Sequence, residues 1–551
     1  EVEKPTQFPS CCVGQLQFPI WRLNFSIWHT ISPVGTFLRA WPVFLAPGYI
    51  MQHKAIVALV LVCALGLAEA AAPPCRFAPL FSGQDLATSA KSRDAFLRAA
   101  MYWEGQFHDV GYSHTNGLTF DGTGLNYSTG EKAAPLHYWT AASKESIHMM
   151  MLARALDGNA YARIFVSPDD QTDSVVVDRV LTIMELKMTT LEKWNVDYPG
   201  YGGYLPWVAN YPSGVVPMPA WTHQVPALDN GEMIWGLYAC KIATLKRSDS
   251  RSLALTKRMA RYLNLLASTA RTVFYAGEGH IRAVATIVDP LAAPTNPANY
   301  GMDCNPLLSN CWLDDPYEGE LFAVFMDLYS SWPNATDRES VWIAKRQKLQ
   351  SVTYQSSLGP ITVQRGFWFS SHEQWKYLEL PYLSASPINK RVFLNGERAR
   401  TQHSASRSIP GLYASVTDVC PPGQQPPDYI SAVGVQSIAF MPITRRDLIT
   451  PYGAYPVMLA DLGVGLAWYH NMINGTTMQG PLGSTESTNV AGTMISPVVT
   501  WDSKITTATA MIGGVADLVE QGLKIDGTFQ RFADVINREW SRVFPTLEGE
   551  N

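Results

Sequence analysis

The sequence predicts an all-α fold, an α/α toroid whose paired helices ring a central cleft, and three observations lead there. Apolar residues recur at helical spacing from one end of the chain to the other. No composition shift or flexible linker divides these runs, so about 475 residues read as one large domain. The loops are alternately short and long, and the long ones collect glycine, aromatic and acidic residues at helix ends, where the mouth of a toroid lies.

In chain order, periodic runs lie at 92–108, 144–156 and 173–193, after which GYGGYLPW (200–207) stops the helix with glycines and aromatics. The run at 230–245 opens in LDNGEMIW (228–235), where Asp229 and Glu232 stand at capping-box spacing, and a long run at 249–274 follows. The run at 316–330 begins in DDPYEGELFAVF (314–325), where Asp315, Pro316 and Glu318 fit N-cap, N1 and N3 of a capping box. Glu320 stands one turn further in, among Leu321, Phe322, Val324 and Phe325, and a partly buried carboxyl there has a raised pKa. Next come a run at 338–354 and a short hairpin at 360–370. RGFWFSSHEQWKYLELPYL (365–383) carries a helix at 371–382, with Ser371 to Gln374 as its start, and another helix covers 388–406. YGAYP (452–456) opens the run at 452–471. The polar loop TMQGPLGSTESTN (477–489) precedes TWDSKITT (500–507), whose Asp502 stands just before a helix at 503–522, and the last run is 528–544. The pattern amounts to about ten to twelve helices.

Ahead of these runs, Met51 is the first methionine, and a secretory signal is expected over 51–70: a basic start at His53 and Lys54, an apolar core from Ala55 to Leu67, and Ala68-Glu69-Ala70 for cleavage. Residues 1–50 read as upstream sequence translated in frame, with an unusual targeting segment as the alternative, and 71–551 as a single domain. The apolar core is too short for an ordinary anchor, and no later run is long enough without charge or proline, so an exported, soluble monomer is expected. Glycosylation acceptors at Asn126, Asn334 and Asn474 agree with export. Removing Cys11, Cys12 and Cys63 leaves five cysteines, of which Cys304 and Cys311 could close a loop before the acidic helix. Cys240 reads as a buried free thiol, and Cys75 could pair with Cys420.

A net charge of -5, a pI near 6.2 and no basic stripe argue against nucleic acid and anionic membranes as partners. Nothing in the cysteine or histidine spacing suggests a metal, and no cofactor site is evident. Tryptophan is plentiful, with 17 in 551 residues, and many lie in Gly/Pro/Tyr loops. Indoles stack on the CH faces of sugar rings, which suits a neutral glycan; a large aromatic core gives the same count.

Six motifs in order resemble the endo-β-1,2-glucanase group of glycoside hydrolases, related to families 144 and 162: DDPYEGELF, SSHEQWKYLELPY, NGERARTQHSASRSIPGLYAS, AYPVMLADLGVGLAWYHNM, MQGPLGSTES and SPVVTWDSKITTATAMIGG, spanning 314–514. The resemblance implies an (α/α)6 toroid and an inverting hydrolase of internal β-1,2-glucosidic bonds. It implies a glutamic acid as proton donor and an aspartate as base, the base reaching its water through a substrate hydroxyl. The acid then falls within Tyr317-Glu318-Gly319-Glu320 and the base on Asp502. Glu320 is preferred over Glu318, because the capping box already accounts for Glu318. Inverting hydrolysis needs one protonated and one ionised carboxyl. Burial should raise Glu320, and amide donors with the helix dipole should lower Asp502, unless Asp502 is a plain N-cap. Glu486 is a reserve base.

Each further candidate has a structural alternative. His372, Glu373 and Gln374 bind a glucose hydroxyl or merely begin a helix. Trp375 is a stacking platform or core. Arg365, Arg398, Arg400 and Arg407 donate to sugar oxygens or form salt bridges. Tyr204, Trp207 and Trp235 wall a subsite or pack loops, and Asp229, Tyr317, Tyr455 and Gln479 sit in the same mouth-side segments. The expected partner is β-1,2-glucan or another neutral glucan. The rivals are hydrolysis or transglycosylation of a different β-glucan, and a glycan-binding protein without turnover.

Overall fold

Several helix starts follow a side chain that closes the first turn, and several helix stops fall at proline or glycine. The computed structural model describes residues 74–303 and 311–549, so the expected signal segment, the upstream stretch and Cys304 lie outside the described residues. Seventeen α-helices occur among them. The first seven are α1 (Gly83–Thr88), α2 (Ala90–Val110), α3 (Ala142–Leu156), α4 (Ala160–Val166), α5 (Asp173–Asp197), α6 (Ala227–Leu245) and α7 (Ser250–Phe274). The middle five are α8 (Glu320–Tyr329), α9 (Ala335–Arg346), α10 (Lys376–Glu379), α11 (Tyr382–Ala385) and α12 (Pro387–Ser406). The last five are α13 (Tyr455–Ala460), α14 (Leu462–Ile473), α15 (Trp501–Met511), α16 (Ala516–Ile525) and α17 (Phe529–Val543). Ser89, Asn159, Asp249, Asn334, Ser386 and Asp461 cap α2, α4, α7, α9, α12 and α14, each accepting from a backbone amide of the first turn.

Several expected helices prove shorter or divided, each for a local reason. The 371–382 helix is a 3₁₀ turn at Ser371–Gln374 followed by α10 and α11, which part at Pro381. The 452–471 run breaks where Asp461 caps α14. The 503–522 run breaks at Gly513 and Gly514, both left-handed with φ of 82° and 67°, so that α15 and α16 are separate. The 338–354 helix ends at Arg346, because Ser351–Ser356 is already a strand paired with Gly359–Gln364; the hairpin thus lies upstream of its expected place.

At the centre, every residue of α3 is buried and α6 packs against it, the Ser146 hydroxyl donating to the Glu232 carbonyl at 2.7 Å. The strands are short, antiparallel and grouped in small sheets of two or three at the helix ends. Two of these pairings place the site. Gly122–Leu125 pairs with Val498–Thr500, and the Trp501 amide donates to the Asp121 carbonyl at 3.0 Å, so Asp121 lies beside the start of α15. Trp139 pairs with Ala209, which brings it next to Trp207.

Cys311 is disulfide-bonded. Cys240 is a buried free thiol whose pKa burial pushes up. Cys75 and Cys420 are both free, so the pair that the sequence left possible between them does not form. Among the described residues no helix is long and apolar enough to cross a membrane.

Candidate active site

The turn that enters α8 separates two glutamates that are neighbours in sequence. Asp315 Oδ1 accepts from the amides of Tyr317 (3.1 Å) and Gly319 (3.2 Å), which closes the turn without help from Glu318. Glycine at 319 leaves room for this cap, since a Cβ there would lie 1.9 Å from Asp315 Oδ2 and push the carboxylate aside. The capping box expected from Asp315 and Glu318 is therefore not formed, and α8 starts at Glu320.

Glu320 is 2% exposed, and its Oε2 accepts from Lys376 Nζ at 3.0 Å and from the Tyr382 hydroxyl at 2.7 Å. Burial raises its pKa while Lys376 and Lys345 pull it back. This is an ion pair inside the helical core with almost no accessible surface, which argues against the sequence preference for Glu320 as acid. Glu318 is half-buried, and no side-chain hydrogen bond reaches it among the described residues. Burial, then the charges of Asp315, Glu373, Asp229 and Asp502, push its carboxyl well above the usual range. A carboxyl shifted in that direction suits a general acid better than a base.

Asp502 is the second residue of α15, not its cap; Thr500 holds the N-cap position. Its Oδ2 accepts from Lys144 Nζ at 2.8 Å, and Oδ1 is buried without a hydrogen-bond partner. Lys144 also reaches Asp121 Oδ1 at 3.3 Å, and His137 Nδ1 donates to Asp121 Oδ2 at 2.8 Å. Burial raises the Asp502 pKa more than Lys144 lowers it, and Asp121 adds to the rise. The expected lowering by the helix dipole is therefore overturned: desolvation outweighs a terminus whose field is shared with a buried surrounding.

On α6, Asp229 and Glu232 lie inside the helix rather than at its start, which corrects the capping-box reading. Asp229 Oδ2 accepts from Trp207 Nε1 at 2.8 Å. Glu232 is 1% exposed with one oxygen unpartnered, and burial together with Glu318, Asp229, Glu379 and Asp502 raises its pKa strongly. Tyr452 and Tyr455 stack at 5.4 Å with 13° between planes, and both feel the charge on Glu318. Trp375 is 4% exposed and donates from Nε1 to the Tyr452 hydroxyl at 2.7 Å, so it supports that tyrosine rather than offering a platform. The Tyr317 hydroxyl and one Arg400 amino group are buried without partners, while Arg400 also donates to the Phe369 carbonyl at 2.6 Å.

A family described as endo-beta-1,2-glucanase SGL has a sequence model that matches residues 118–551. The chain belongs to that family of glycoside hydrolases. Its structure is similar to that of the endo-beta-1,2-glucanase from Talaromyces funiculosus, solved as a Glu-to-Gln mutant with β-1,2-glucan and also with sophorose. Identity is 40% and the TM-score 0.82, over 87% of this chain and 95% of the other. The Chitinophaga pinensis endo-beta-1,2-glucanase, at 14% identity and a TM-score of 0.55 over 79% of this chain and 97% of the other, shares the fold. No curated protein sequence matches.

Other positions singled out from the sequence serve this endo-β-1,2-glucanase family member as scaffold. Tyr204 and Trp235 are wholly buried, donating to the carbonyls of Leu266 (2.5 Å) and Leu321 (2.9 Å), and so do not wall a subsite. Gln479 accepts from the Ala78 amide at 3.0 Å and ties down the N-terminal segment. Glu486, raised to about 7 by burial, accepts from the hydroxyls of Thr500 (2.8 Å) and Ser503, which fixes the entry to α15. Glu373, also raised to about 7 by burial, receives the amides of Phe367, Trp368 and Ser370 at 2.7 to 3.1 Å and holds a turn. His372 is pulled down to about 3 by burial and pairs with Ser370 and Ser415, and Gln374 is half-buried beside it. Arg365 bonds to the Ala439 carbonyl and lies 4.4 Å over the Phe440 ring. Arg398 donates to Asn395 and Gly549, and Arg407 to Tyr354 and His403.

Lys144, Asp121, His137, Trp139, Trp221 and Tyr452 were not among the sequence candidates. Trp139, Trp207 and Trp221 stack in series at 5.0 and 5.7 Å with planes 10° and 13° apart. A lysine inside an otherwise buried helix was the one available signal for Lys144. Among the described residues no group of His, Cys, Asp or Glu is arranged to hold a metal ion.

Proposed function

We propose that this endo-β-1,2-glucanase cleaves internal bonds of β-1,2-glucan with inversion at the anomeric carbon, Glu318 serving as acid and Asp502 as base. The observation that carries the reading is the contrast between the two carboxyls: Glu318 sits in a crowd of negative charge that pushes its pKa up, while Asp502 is bound to an ammonium through one oxygen and has no protein donor at the other. Glu318 gives its proton to the departing glycosidic oxygen. Water attacks the opposite face of the ring, and its proton passes to Asp502, through a substrate hydroxyl if the relay implied by the family resemblance operates here. The exposed rims of Trp139 and Trp221 offer apolar faces to the glucan near this centre. We read the helix pairs as an (α/α)6 toroid around the cleft and the protein as exported. Exposure of Asn126, Asn334 and Asn474 supports export.

The test is product release from β-1,2-, β-1,3- and β-1,4-glucans, with anomers followed by NMR. Release of β-1,2-linked oligosaccharides as α-anomers is expected. Turnover confined to another linkage, or retention of configuration, overturns the reading. So does a folded Glu320→Gln variant that is inactive while Glu318→Gln keeps full rate.

A further inference from the structure

We propose that Lys144 is a positioning residue for Asp502: its ammonium holds Oδ2 and so fixes the orientation of the carboxylate, and Asp121 with His137 holds the ammonium in place. The inference rests on Asp502 being the base. Lys144 lies on α3 with its side chain 3% exposed, and Nζ is 2.8 Å from Asp502 Oδ2 and 3.3 Å from Asp121 Oδ1. The same nitrogen is 5.0 Å from the Trp139 ring centre and 5.6 Å from that of Trp207, so two indoles close its other sides. A buried ammonium held between two carboxylates and two rings has little rotameric freedom left.

The two oxygens of Asp502 therefore differ. Oδ2 accepts from the lysine, while Oδ1 is buried with no protein donor within reach, so the lysine is the carboxylate's main compensation for its burial. About a third of the Asp502 side chain (29%) is nevertheless open, through atoms other than the enclosed Oδ1, so the orientation that Lys144 imposes decides which edge of the carboxylate is presented. One ammonium between two carboxylates also leaves a net negative charge, and Asp502 keeps basicity that a simple one-to-one pair would quench. His137, 38% exposed at the rim, donates to the far oxygen of Asp121 and stops that carboxylate from swinging away from Lys144.

The charged groups that face Asp502 come from five places: Lys144 on α3, Asp121 before the strand at Gly122, Glu318 at the entry to α8, Glu232 on α6, and Glu486 in the loop before α15. Lys144 is the cation bonded to it, so its removal has a signed effect on the pH profile.

The experiment measures kcat and KM on β-1,2-glucan from acid to alkaline pH for wild type, Lys144→Met, Lys144→Arg, Asp121→Asn and Asp502→Asn, with thermal melts for each. In Lys144→Met, kcat should fall about 10²-fold with KM little changed, since a displaced catalytic group costs on that order. The acidic limb should move to higher pH, because an unpaired Asp502 holds its proton longer. Lys144→Arg should restore part of the rate. Loss of rate with an unmoved acidic limb, or an unaltered rate, overturns the proposal. Should Lys144→Met fail to fold, Asp121→Asn decides: loss of a negative neighbour should shift the acidic limb to lower pH, and an unmoved limb overturns the clamp. Asp502→Asn separates the two readings. If it keeps the wild-type rate, the base assignment itself falls; if it is inactive while Lys144→Met is indistinguishable from wild type, only the clamp does.

Discussion

Two regions of this molecule are rich in buried carboxylates, and they are built on opposite terms. In the helical core, Glu104 pairs with Lys504, Glu145 with Lys187 and Glu320 with Lys376, and a hydroxyl or amide completes each: Tyr469 at 2.6 Å for Glu104, Thr119 at 2.7 Å for Glu145, Tyr382 at 2.7 Å for Glu320. In the cleft, Glu318, Asp229, Glu232 and Asp502 crowd together, and oxygens of Glu232 and Asp502 are left without donors. One ammonium for each carboxylate makes a joint. An excess of carboxylates makes a place where protons are held and released, because each additional negative charge raises the cost of ionising the next.

The strongest way to break this contrast is through rate. Glu318→Gln and Asp502→Asn should each lower kcat by on the order of 10²- to 10⁴-fold, as expected for loss of proton transfer, with the fold retained. Reducing-end release from β-1,2-glucan measures it. The core should answer in stability instead. Lys376→Met strands Glu320, which costs about 3–5 kcal/mol by the precedent for broken buried pairs, and denaturant unfolding reads this out. The double variant Glu320→Gln/Lys376→Met should recover most of that loss. If Lys376→Met were as stable as wild type, the core pairs would not be the joints described here.

These two neighbouring glutamates also show what sequence can carry. Helix periodicity located the main helices, because an apolar stripe is written in the spacing of side chains; α7 and α12 lie within a residue of their expected limits. The acidic turn and Asp502 were visible as unusual residues in helix-end motifs. Which of Glu318 and Glu320 faces the cleft was not, since it depends on Lys376, 56 residues further on, and on the Asp315 cap that frees Glu318. Lys144 meets Asp502 across 358 positions, a contact that no local pattern encodes. Trp235 and Tyr204 misled for the converse reason: in loop-flanked motifs they looked like subsite walls, yet tertiary packing gave their polar tips to buried carbonyls.

A smaller effect is expected at the rim of the cleft. Trp221 ends the indole stack, half-buried and separated from Asp229 by Trp207. Trp221→Ala should raise KM by about tenfold or less, the equivalent of about 1.4 kcal/mol, and leave kcat close to wild type, since a contact made equally in ground and transition states acts on binding alone. A drop in kcat without a change in KM would move this tryptophan from the rim into the reacting centre.

The finest test of the crowded cleft is a shift of one limb of the pH profile. Asp229 raises the pKa of Glu318 but is not among the groups that perturb Asp502. Asp229→Asn keeps an oxygen for Trp207 Nε1 and removes the charge. With that charge gone Glu318 loses its proton more easily, so the alkaline limb of kcat should move to lower pH while the acidic limb, set by Asp502, stays. Stability carries the same sign. A carboxyl whose folded pKa is raised stabilises the fold below its unfolded pKa and loses that contribution as pH climbs through the folded value. Glu318→Gln, which has no proton to lose, should therefore gain on wild type in thermal melts as the pH is raised. If both limbs move together in Asp229→Asn, the carboxyls titrate as one coupled unit and the division of labour between Glu318 and Asp502 is not set by their separate surroundings.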